Sequence, residues 1–280
     1  MLDFIVNEER CITCGMCVTD CPAQCIVMEK GGFPTIPQED QCIRCQHCLA
    51  VCPTGAISIL GADPDQSLEL KHELPTVHSM ETLVKGRRSI RRYKKQALDA
   101  GTIRKLLEIV WHAPTATNAQ SVLFTATMTS DATDAVRTEI YAKLGPMLDE
   151  LAPEEGGLAH KYMRMAYGAY SKHGVDVIMR GAPHILIASA PKTVPQPKED
   201  CIIALTTFDL LAQTMGVGSL WDGMLTWCLT DFFPELAAKL GVPEDHAIGY
   251  CMVFGLPAVS YHRTVQRVPP GMNLVESLSE

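Results

Sequence analysis

The chain has 280 residues, 47% of them hydrophobic, and a formal net charge of −8 at pH 7. This length accommodates about two globular domains, and the hydrophobic share is ordinary for a protein that folds around a core. The apolar runs fall far below the roughly 20 residues of a membrane-spanning helix, and acidic residues near the start argue against a signal peptide. We therefore expect a cytoplasmic protein with no membrane partner.

Nine of the twelve cysteines lie in the first 52 residues, and eight of these form one pattern twice. Each copy reads C-x2-C-x2-C-x3-C-P, a spacing typical of thiolates that ligate iron–sulfur clusters. Zinc ribbons require only paired C-x2-C knuckles, so the third and fourth cysteines of each run would be surplus to them. Disulfides require an oxidising compartment, and nothing in the sequence suggests export. The copies comprise Cys11, Cys14, Cys17 and Cys21, and then Cys42, Cys45, Cys48 and Cys52.

This stretch resembles the bacterial two-cluster ferredoxins, in which the fourth cysteine of each run ligates the other cluster. The resemblance implies two 4Fe–4S clusters per chain. The implied ligands are Cys11, Cys14, Cys17 and Cys52 for the first cluster, and Cys42, Cys45, Cys48 and Cys21 for the second. The remaining cysteines, Cys25, Cys201, Cys228 and Cys251, are most simply explained as small buried side chains.

The first domain also differs from the rest of the chain in charge. Residues 1–60 carry three Lys/Arg against seven Asp/Glu, a net charge of −4, which favours docking on a basic partner surface. The turn-forming sequence G-A-D-P-D-Q-S then interrupts the apolar pattern. We expect a 4Fe–4S ferredoxin domain over residues 1–60, a linker over residues 61–79 and a second domain over residues 80–280 that ends in a C-terminal arm.

The second domain alternates helical and strand patterns. Asp99 is the expected N-cap of a helix whose apolar residues recur at helical intervals as far as Trp111. Strands are predicted over 122–127, 184–190 and 248–254, and helices over 199–215 and about 222–240, the last interrupted near Pro234. This mixture predicts an α/β or α+β domain with a central sheet.

Four separated segments of this domain resemble the nitroreductase family of FMN enzymes. They read R-R-S-I-R over 87–91, A-P-T-A-T-N-A-Q over 113–120, G-V-G-S-L-W-D-G over 216–223, and G-L-P over 255–257 followed by two arginines. The resemblance implies an α+β domain in three α/β/α layers around a mostly antiparallel sheet. It also implies a homodimer with FMN at the subunit interface.

The resemblance implies which residues bind FMN. Arginines suit a phosphate dianion because they are permanently charged, bidentate donors. The implied phosphate and carbonyl ligands are Arg87, Arg88, Ser89, Arg91, Arg263 and Arg267. Thr115, Asn118 and Gln120 are expected to contact the flavin from the opposite subunit, and Ser219, Leu220, Trp221 and Gly223 to lie near its ring. No residue is expected to act as a dedicated nucleophile or general acid.

Two alternative interpretations concern these segments. The basic run over 85–95 taken alone fits a nucleic-acid patch or a solvated surface, but the neighbouring motifs favour a cofactor site, so we expect no nucleic-acid partner. The glycines over 216–223 lack the spacing of a dinucleotide-binding fold and follow a helical pattern instead of a strand.

The combination of domains suggests a function. Iron–sulfur clusters move single electrons, whereas a flavin holds one or two, so FMN can collect electrons singly and deliver a pair. The leading hypothesis is an FMN-dependent oxidoreductase that reduces a small conjugated acceptor, nitroaromatic or quinone-like, with a protein as electron donor. The alternatives are an electron-transfer adaptor for a partner protein, or an NAD(P)H-driven flavin reductase with the clusters as the exit path.

Overall fold

The computed structural model describes residues 2–71, 73–150, 156–268 and 271–277. They divide into two compact units. The first unit consists of Met1–Pro75 together with Pro114–Ser121 and Thr193–Gln196. The second consists of Thr76–Ala113, Val122–Lys192 and Pro197–Glu280. Segment 114–121, which carries one of the four nitroreductase-like motifs, thus belongs to the same unit as the cysteine motifs.

The first unit contains little regular structure. Strand β1 (Ile5–Val6) pairs antiparallel with β2 (Ile57–Ser58), and the two short helices are α1 (Met16–Thr19) and α2 (His47–Ala50). Single 3-10 turns occur at Glu39–Gln41, Pro64–Gln66 and Ala116–Asn118. A small core of isoleucines, leucines and buried cysteines holds these pieces together. A core of this size is marginal by itself, which is typical of small domains that gain stability from bound metal.

The second unit is built on a four-stranded antiparallel sheet in the order β3-β4-β6-β5. The strands are β3 (Leu123–Ala126), β4 (His184–Pro191), β5 (Gly218–Trp221) and β6 (His246–Gly255). Helices cover both faces of this sheet. Phe208 packs edge-on against Phe254 on one face, while Ile185 and Val253 join a core with helical residues on the other.

The helices of this unit are α3 (Val77–Gly86), α4 (Ala100–Val110), α5 (Ser130–Asp149), α6 (Leu158–His173), α7 (Pro197–Thr214), α8 (Gly223–Trp227) and α9 (Pro234–Lys239). Four of them begin at a side-chain N-cap, because Thr76, Asp99, Thr129 and Asp222 each accept a hydrogen bond from a backbone N–H of the first turn. A π-helical turn at Cys228–Phe232 and Pro234 separate α8 from α9.

These elements confirm the predicted α+β class and antiparallel sheet. The predicted strands correspond to β3, β4 and β6, and the helix capped by Asp99 is α4. Strand β5 was not predicted, because its glycines indicated a loop. Regular helix resumes at Val77, three residues before the expected point. In the part of the chain that the structure describes, no helix is long and apolar enough to cross a membrane.

Candidate functional site

The duplicated cysteine motif is repeated in the backbone as well as in the sequence. Left-handed φ angles recur 31 positions apart, at Thr13 and Arg44, at Gly15 and Gln46, and at Gln24 and Gly55. This conformation costs a non-glycine residue on the order of 1–3 kcal/mol and persists only where the surroundings impose it. Both loops hold it at the same places, which indicates that the loop shape matters for what the cysteines bind.

The first set of cysteines surrounds one cavity. Cys11, Cys14, Cys17 and Cys52 line one hollow beside α1. Cys52 comes from the second copy of the motif, as the crossed pattern of two-cluster ferredoxins implies. Among the described residues, no three His, Cys, Asp or Glu side chains are arranged to hold a single metal ion. Four cysteines around one hollow are the ligand set that a 4Fe–4S cluster requires.

The second set consists of Cys42, Cys45, Cys48 and Cys21. The Cys42 Sγ accepts a hydrogen bond from the Arg44 backbone N–H at 3.4 Å. Cys48 is buried, whereas Cys42 and Cys45 are half-buried. The Cys21 Sγ lies 3.6 Å from the Sγ of Cys25. Cys25 is buried, as predicted. It also contacts Cys21, which is an expected cluster ligand.

The two sets share a pattern of acidity. Burial raises the pKa of Cys17, and it raises the pKa of Cys48 to about 11. Burial also acts on Cys21 and Cys52, but backbone N–H groups donate to their sulfurs and lower the pKa of both thiols. The fourth cysteine of each run thus differs from the buried third cysteine in the direction of its pKa shift.

A buried carboxylate organises the predicted flavin residues in the second unit. Asp209 on α7 accepts hydrogen bonds from the Ser219 hydroxyl and, at 3.0 Å, from Trp221 Nε1. Arg87 Nη1 lies 3.2 Å from Asp209 Oδ2, although without the geometry of a hydrogen bond. Asp209 thereby fixes residues from two of the nitroreductase-like motifs. Ser219 itself is buried and bonded inside the protein.

One cavity of the second unit collects the predicted ring contacts. Arg91, Leu220, Trp221 and Gly223 line a space of about 340 Å³. The other lining residues are Tyr162, Ile178, Arg180, Asp222, Met224 and Trp227. The aromatic rings suit a planar ligand, and the arginines offer donors to carbonyl groups.

Asp222 is the one strongly perturbed carboxyl among the residues that line this cavity. Its Oδ1 accepts the Leu225 backbone N–H at 2.9 Å, while its Oδ2 is buried without a hydrogen-bond partner. Burial raises the pKa of Asp222 to about 7. A carboxyl with this pKa can hold or release a proton near neutral pH.

A second cavity collects the predicted phosphate contacts. Arg87, Arg88, Asp209 and Ser219 line a space of about 350 Å³ together with Gly216 and Gly218. Arg88 Nε is buried and has no hydrogen-bond partner, and Arg87 Nη1 has only its ion pair. A buried donor without an acceptor is costly unless a ligand supplies one.

The remaining predicted residues lie elsewhere. Ser89 is half-buried, and Arg263 and Arg267 are exposed on the chain that follows β6. Thr115, Asn118 and Gln120 line neither cavity and belong to the first unit. The resemblance assigns these three residues to the flavin of the opposite subunit, which a single chain does not display.

Comparison with protein families accounts for both parts of the chain. Residues 84–256, more than half of the sequence, match the model of the nitroreductase family. The chain belongs to the nitroreductase family. Residues 4–59 of this family member match the model of the 4Fe-4S dicluster domain. Both resemblances found in the sequence are thereby confirmed.

Solved structures share the fold of this nitroreductase-family chain. A nitroreductase with bound FMN from Bacteroides fragilis NCTC 9343 is 24% identical with a TM-score of 0.56, over 70% of this chain and 98% of that one. A nitroreductase with bound FMN from Desulfitobacterium hafniense DCB-2 is 21% identical with a TM-score of 0.54, over 70% and 97%. An FMN-dependent nitroreductase from Clostridium difficile R20291 is 15% identical with a TM-score of 0.51, over 71% and 100%. No curated protein sequence matches the chain.

Sequence reasoning missed Asp209, although one signal was present. Asp209 stands between Phe208 and Leu210 in an otherwise apolar stretch of α7. An acidic residue on a buried helical face indicates a polar partner, because an unpaired buried charge is strongly disfavoured. Tyr162 and Arg180, which line the cavity of the ring contacts, were not among the predicted site residues either.

Proposed function

We propose that this protein is an FMN-dependent oxidoreductase in which two 4Fe–4S clusters pass electrons to FMN, which reduces a small conjugated acceptor. The observation that carries the proposal is the unpaired arginine donor in a cavity of the second unit, in a chain that also brings four cysteines around one hollow. Clusters move single electrons, and bound FMN would supply the capacity to accept them and deliver two together.

The phosphate end of FMN fits the cavity of Arg88. A phosphate dianion supplies several acceptor oxygens to the Arg88 guanidinium, whose Nη2 donates to the Lys85 carbonyl at 3.4 Å and whose buried Nε lacks a partner. Arg87 is already paired with Asp209, so it contributes partly by holding Ser219 and Trp221 in place. Arg263 and Arg267 are exposed, and they are free to close on the phosphate from the C-terminal segment.

The ring end of FMN fits the cavity of Arg91, Trp221 and Gly223. A Cβ atom at Gly223 would lie 2.9 Å from Tyr250 Oη, so a larger residue would disturb this wall. Tyr162 and Trp227 stand 6.3 Å apart between ring centroids on the same cavity. These rings favour a flat aromatic acceptor, nitroaromatic or quinone-like, that stacks on the flavin.

A homodimer completes the proposal. Ile202 and Ile203 are 43% and 40% exposed on α7, and Trp111 after α4 is 54% exposed. Large apolar side chains that remain exposed together on a single chain favour a subunit interface. In the dimer, Thr115, Asn118 and Gln120 of one subunit contact the flavin held by the arginines of the other.

Replacement of Arg88 by Gln tests the phosphate site. Loss of a charged hydrogen-bond donor should weaken FMN binding roughly 10- to 100-fold. Arg92→Gln is the matched control, because Arg92 is a neighbouring, exposed arginine that lines neither cavity. Flavin retained after gel filtration and equilibrium titration measure the effect. Equal FMN affinity in the two variants would place the phosphate elsewhere.

Anaerobic stopped-flow measurements separate the proposed reaction from its alternatives. Protein with FMN and clusters should reduce nitroaromatic or quinone acceptors when a low-potential protein donor supplies electrons. Rapid bleaching of the flavin by NAD(P)H in cluster-free protein would support the NAD(P)H-driven reductase instead. Turnover with no small acceptor, despite normal reduction of the flavin, would support the adaptor.

A further inference from the structure

We propose that the second cluster, held by Cys42, Cys45, Cys48 and Cys21, is the one that exchanges electrons with FMN, and that segment 114–121 connects them. The inference rests on the proposed function, in which Thr115, Asn118 and Gln120 contact the flavin. The structure contributes an independent observation, since this segment belongs to the cysteine-bearing unit.

A side-chain hydrogen bond fastens the segment to one particular cysteine loop. The Nδ2 of Asn118 donates to the carbonyl oxygen of Ile43 at 2.9 Å. Ile43 directly follows Cys42 and lies two residues before Cys45. An asparagine amide has a second N–H and a carbonyl oxygen, so this bond leaves Asn118 two groups for a flavin.

The backbone of the segment is strained where it meets the loop. Thr117, Asn118 and Gln120 all adopt left-handed φ angles, of 53°, 56° and 45°. Each such residue costs on the order of 1–3 kcal/mol, and strain of this kind gathers where a structure must hold one shape. Inside the turn, Thr115 Oγ1 accepts the Gln120 backbone N–H at 2.9 Å. The segment is thus a fixed turn and not a loose connection.

The internal duplication provides a comparison within the same molecule. Ile12 stands in the first motif where Ile43 stands in the second, 31 positions later. Ile12 is 61% exposed and Ile43 37% exposed. Cys14 is exposed, whereas its counterpart Cys45 is half-buried. At these two positions the first loop is more open to solvent than the second, which suits the first cluster to receive electrons from an external donor.

The electron balance of the step is simple. An external donor gives one electron to the first cluster, which passes it to the second. The second cluster is oxidised as it gives this electron to FMN. Two such transfers and one proton from solvent convert oxidised FMN to its reduced anion, and the acceptor later removes the electron pair.

Hydrogen–deuterium exchange of the full chain, purified anaerobically with FMN and clusters, tests the connection. Cys45→Ser and Cys14→Ser are a matched pair, because the two cysteines occupy the same place in the two motifs. Exchange in the peptide that covers 114–121 should rise about tenfold in Cys45→Ser, the effect of about one lost hydrogen bond, and should not change in Cys14→Ser. An equal rise in both variants, or a rise in Cys14→Ser alone, would overturn the inference.

Asn118→Ala keeps every cysteine and covers the case in which a cysteine variant loses all its iron. Exchange should rise around residues 42–48 but not around 11–17, and bleaching of the flavin by the protein donor should slow. Thr117→Ala is the control, since the Thr117 hydroxyl bonds only to the adjacent Ala116 carbonyl. A full-length chain that binds no FMN would refute the proposed function. FMN-loaded Asn118→Ala with unchanged exchange and unchanged bleaching would refute this inference alone.

Discussion

Asp209→Ala should destabilise the second unit by about 3 kcal/mol. The carboxylate is 4% exposed and faces Arg87, Ser219 and Trp221. Removal of one partner from a buried ion pair costs about 3–5 kcal/mol, mainly because the other charge stays behind unpaired. The Arg87 side chain is 26% exposed, so water recovers part of that loss and the lower end of the range applies.

Two further variants give the expected order of effects. Ser219→Ala removes one donor but leaves Asp209 its bond from Trp221 and its ion pair, so it should cost about 1 kcal/mol. Asp209→Asn keeps the volume and one acceptor oxygen but removes the charge that faces Arg87. Its free energy of unfolding should therefore lie between those of the other two variants.

Urea unfolding followed by tryptophan fluorescence measures these differences. All three tryptophans, Trp111, Trp221 and Trp227, lie in the second unit, so the signal reports on this unit alone. Flavin-free protein keeps differences in FMN binding out of the comparison. If Asp209→Ala were as stable as Ser219→Ala, the ion pair with Arg87 would contribute nothing and the argument would fail.

Two other predictions concern Asp222 and the crossed cysteines. Burial raises the pKa of Asp222 to about 7, above the value of about 4 in an unfolded chain, so its contribution to stability is complete below about pH 4 and is lost as the pH rises to about 7. In Asp222→Asn the free energy of unfolding should not show this loss, because the side chain no longer ionises. If the free energies of unfolding of wild type and variant ran parallel between about pH 5 and 8, the prediction would be contradicted. Cys52→Ser should halve the iron content, and its electron paramagnetic resonance spectrum should match that of Cys14→Ser, because both variants lose a ligand of the first cluster. A spectrum like that of Cys45→Ser would show that ligation is not crossed.

The sequence predicted those parts of the fold that local pattern determines. The runs that became β4 and β6 are rich in apolar residues, β4 is buried over nearly its whole length, and β6 is buried over its second half. Asp99 caps α4 by a hydrogen bond that spans three residues. Strand β5 escaped prediction because pairing with β6 decides its structure, with Gly218 opposite Gly255. A Cβ at Gly218 would lie 2.5 Å from Ile90 Cγ1, so this glycine serves close packing and not a turn.

The site divides in the same way. Site residues that form a short motif, such as the cysteine runs and the arginines over 87–91, could be predicted from the sequence. Contacts between residues far apart in the sequence could not. Asp209 reaches Arg87 across more than a hundred residues, and Asn118 meets Ile43 across 75. The residues next to Asp209 and Asn118 in the sequence do not indicate these partners, although a buried acid and a strained turn each require one.

The duplication is incomplete around the expected cluster ligands, and the difference leads to a prediction about the potentials of the two clusters. Cys25 stands where the second copy has Ala56, and its Sγ lies 3.6 Å from Cys21, an expected ligand of the second cluster. When Cys21 is a ligand it is a thiolate, so the Cys25 thiol must be the donor. A donor to a ligand sulfur stabilises the more negative, reduced cluster and raises its potential. The second cluster should therefore have a higher reduction potential than the first. An electron moves spontaneously from the lower to the higher potential, here from the first cluster to the second and so toward FMN. A potentiometric titration of Cys25→Ala should show that one cluster alone moves to lower potential, and an unchanged pair of potentials would leave the direction of flow without this support.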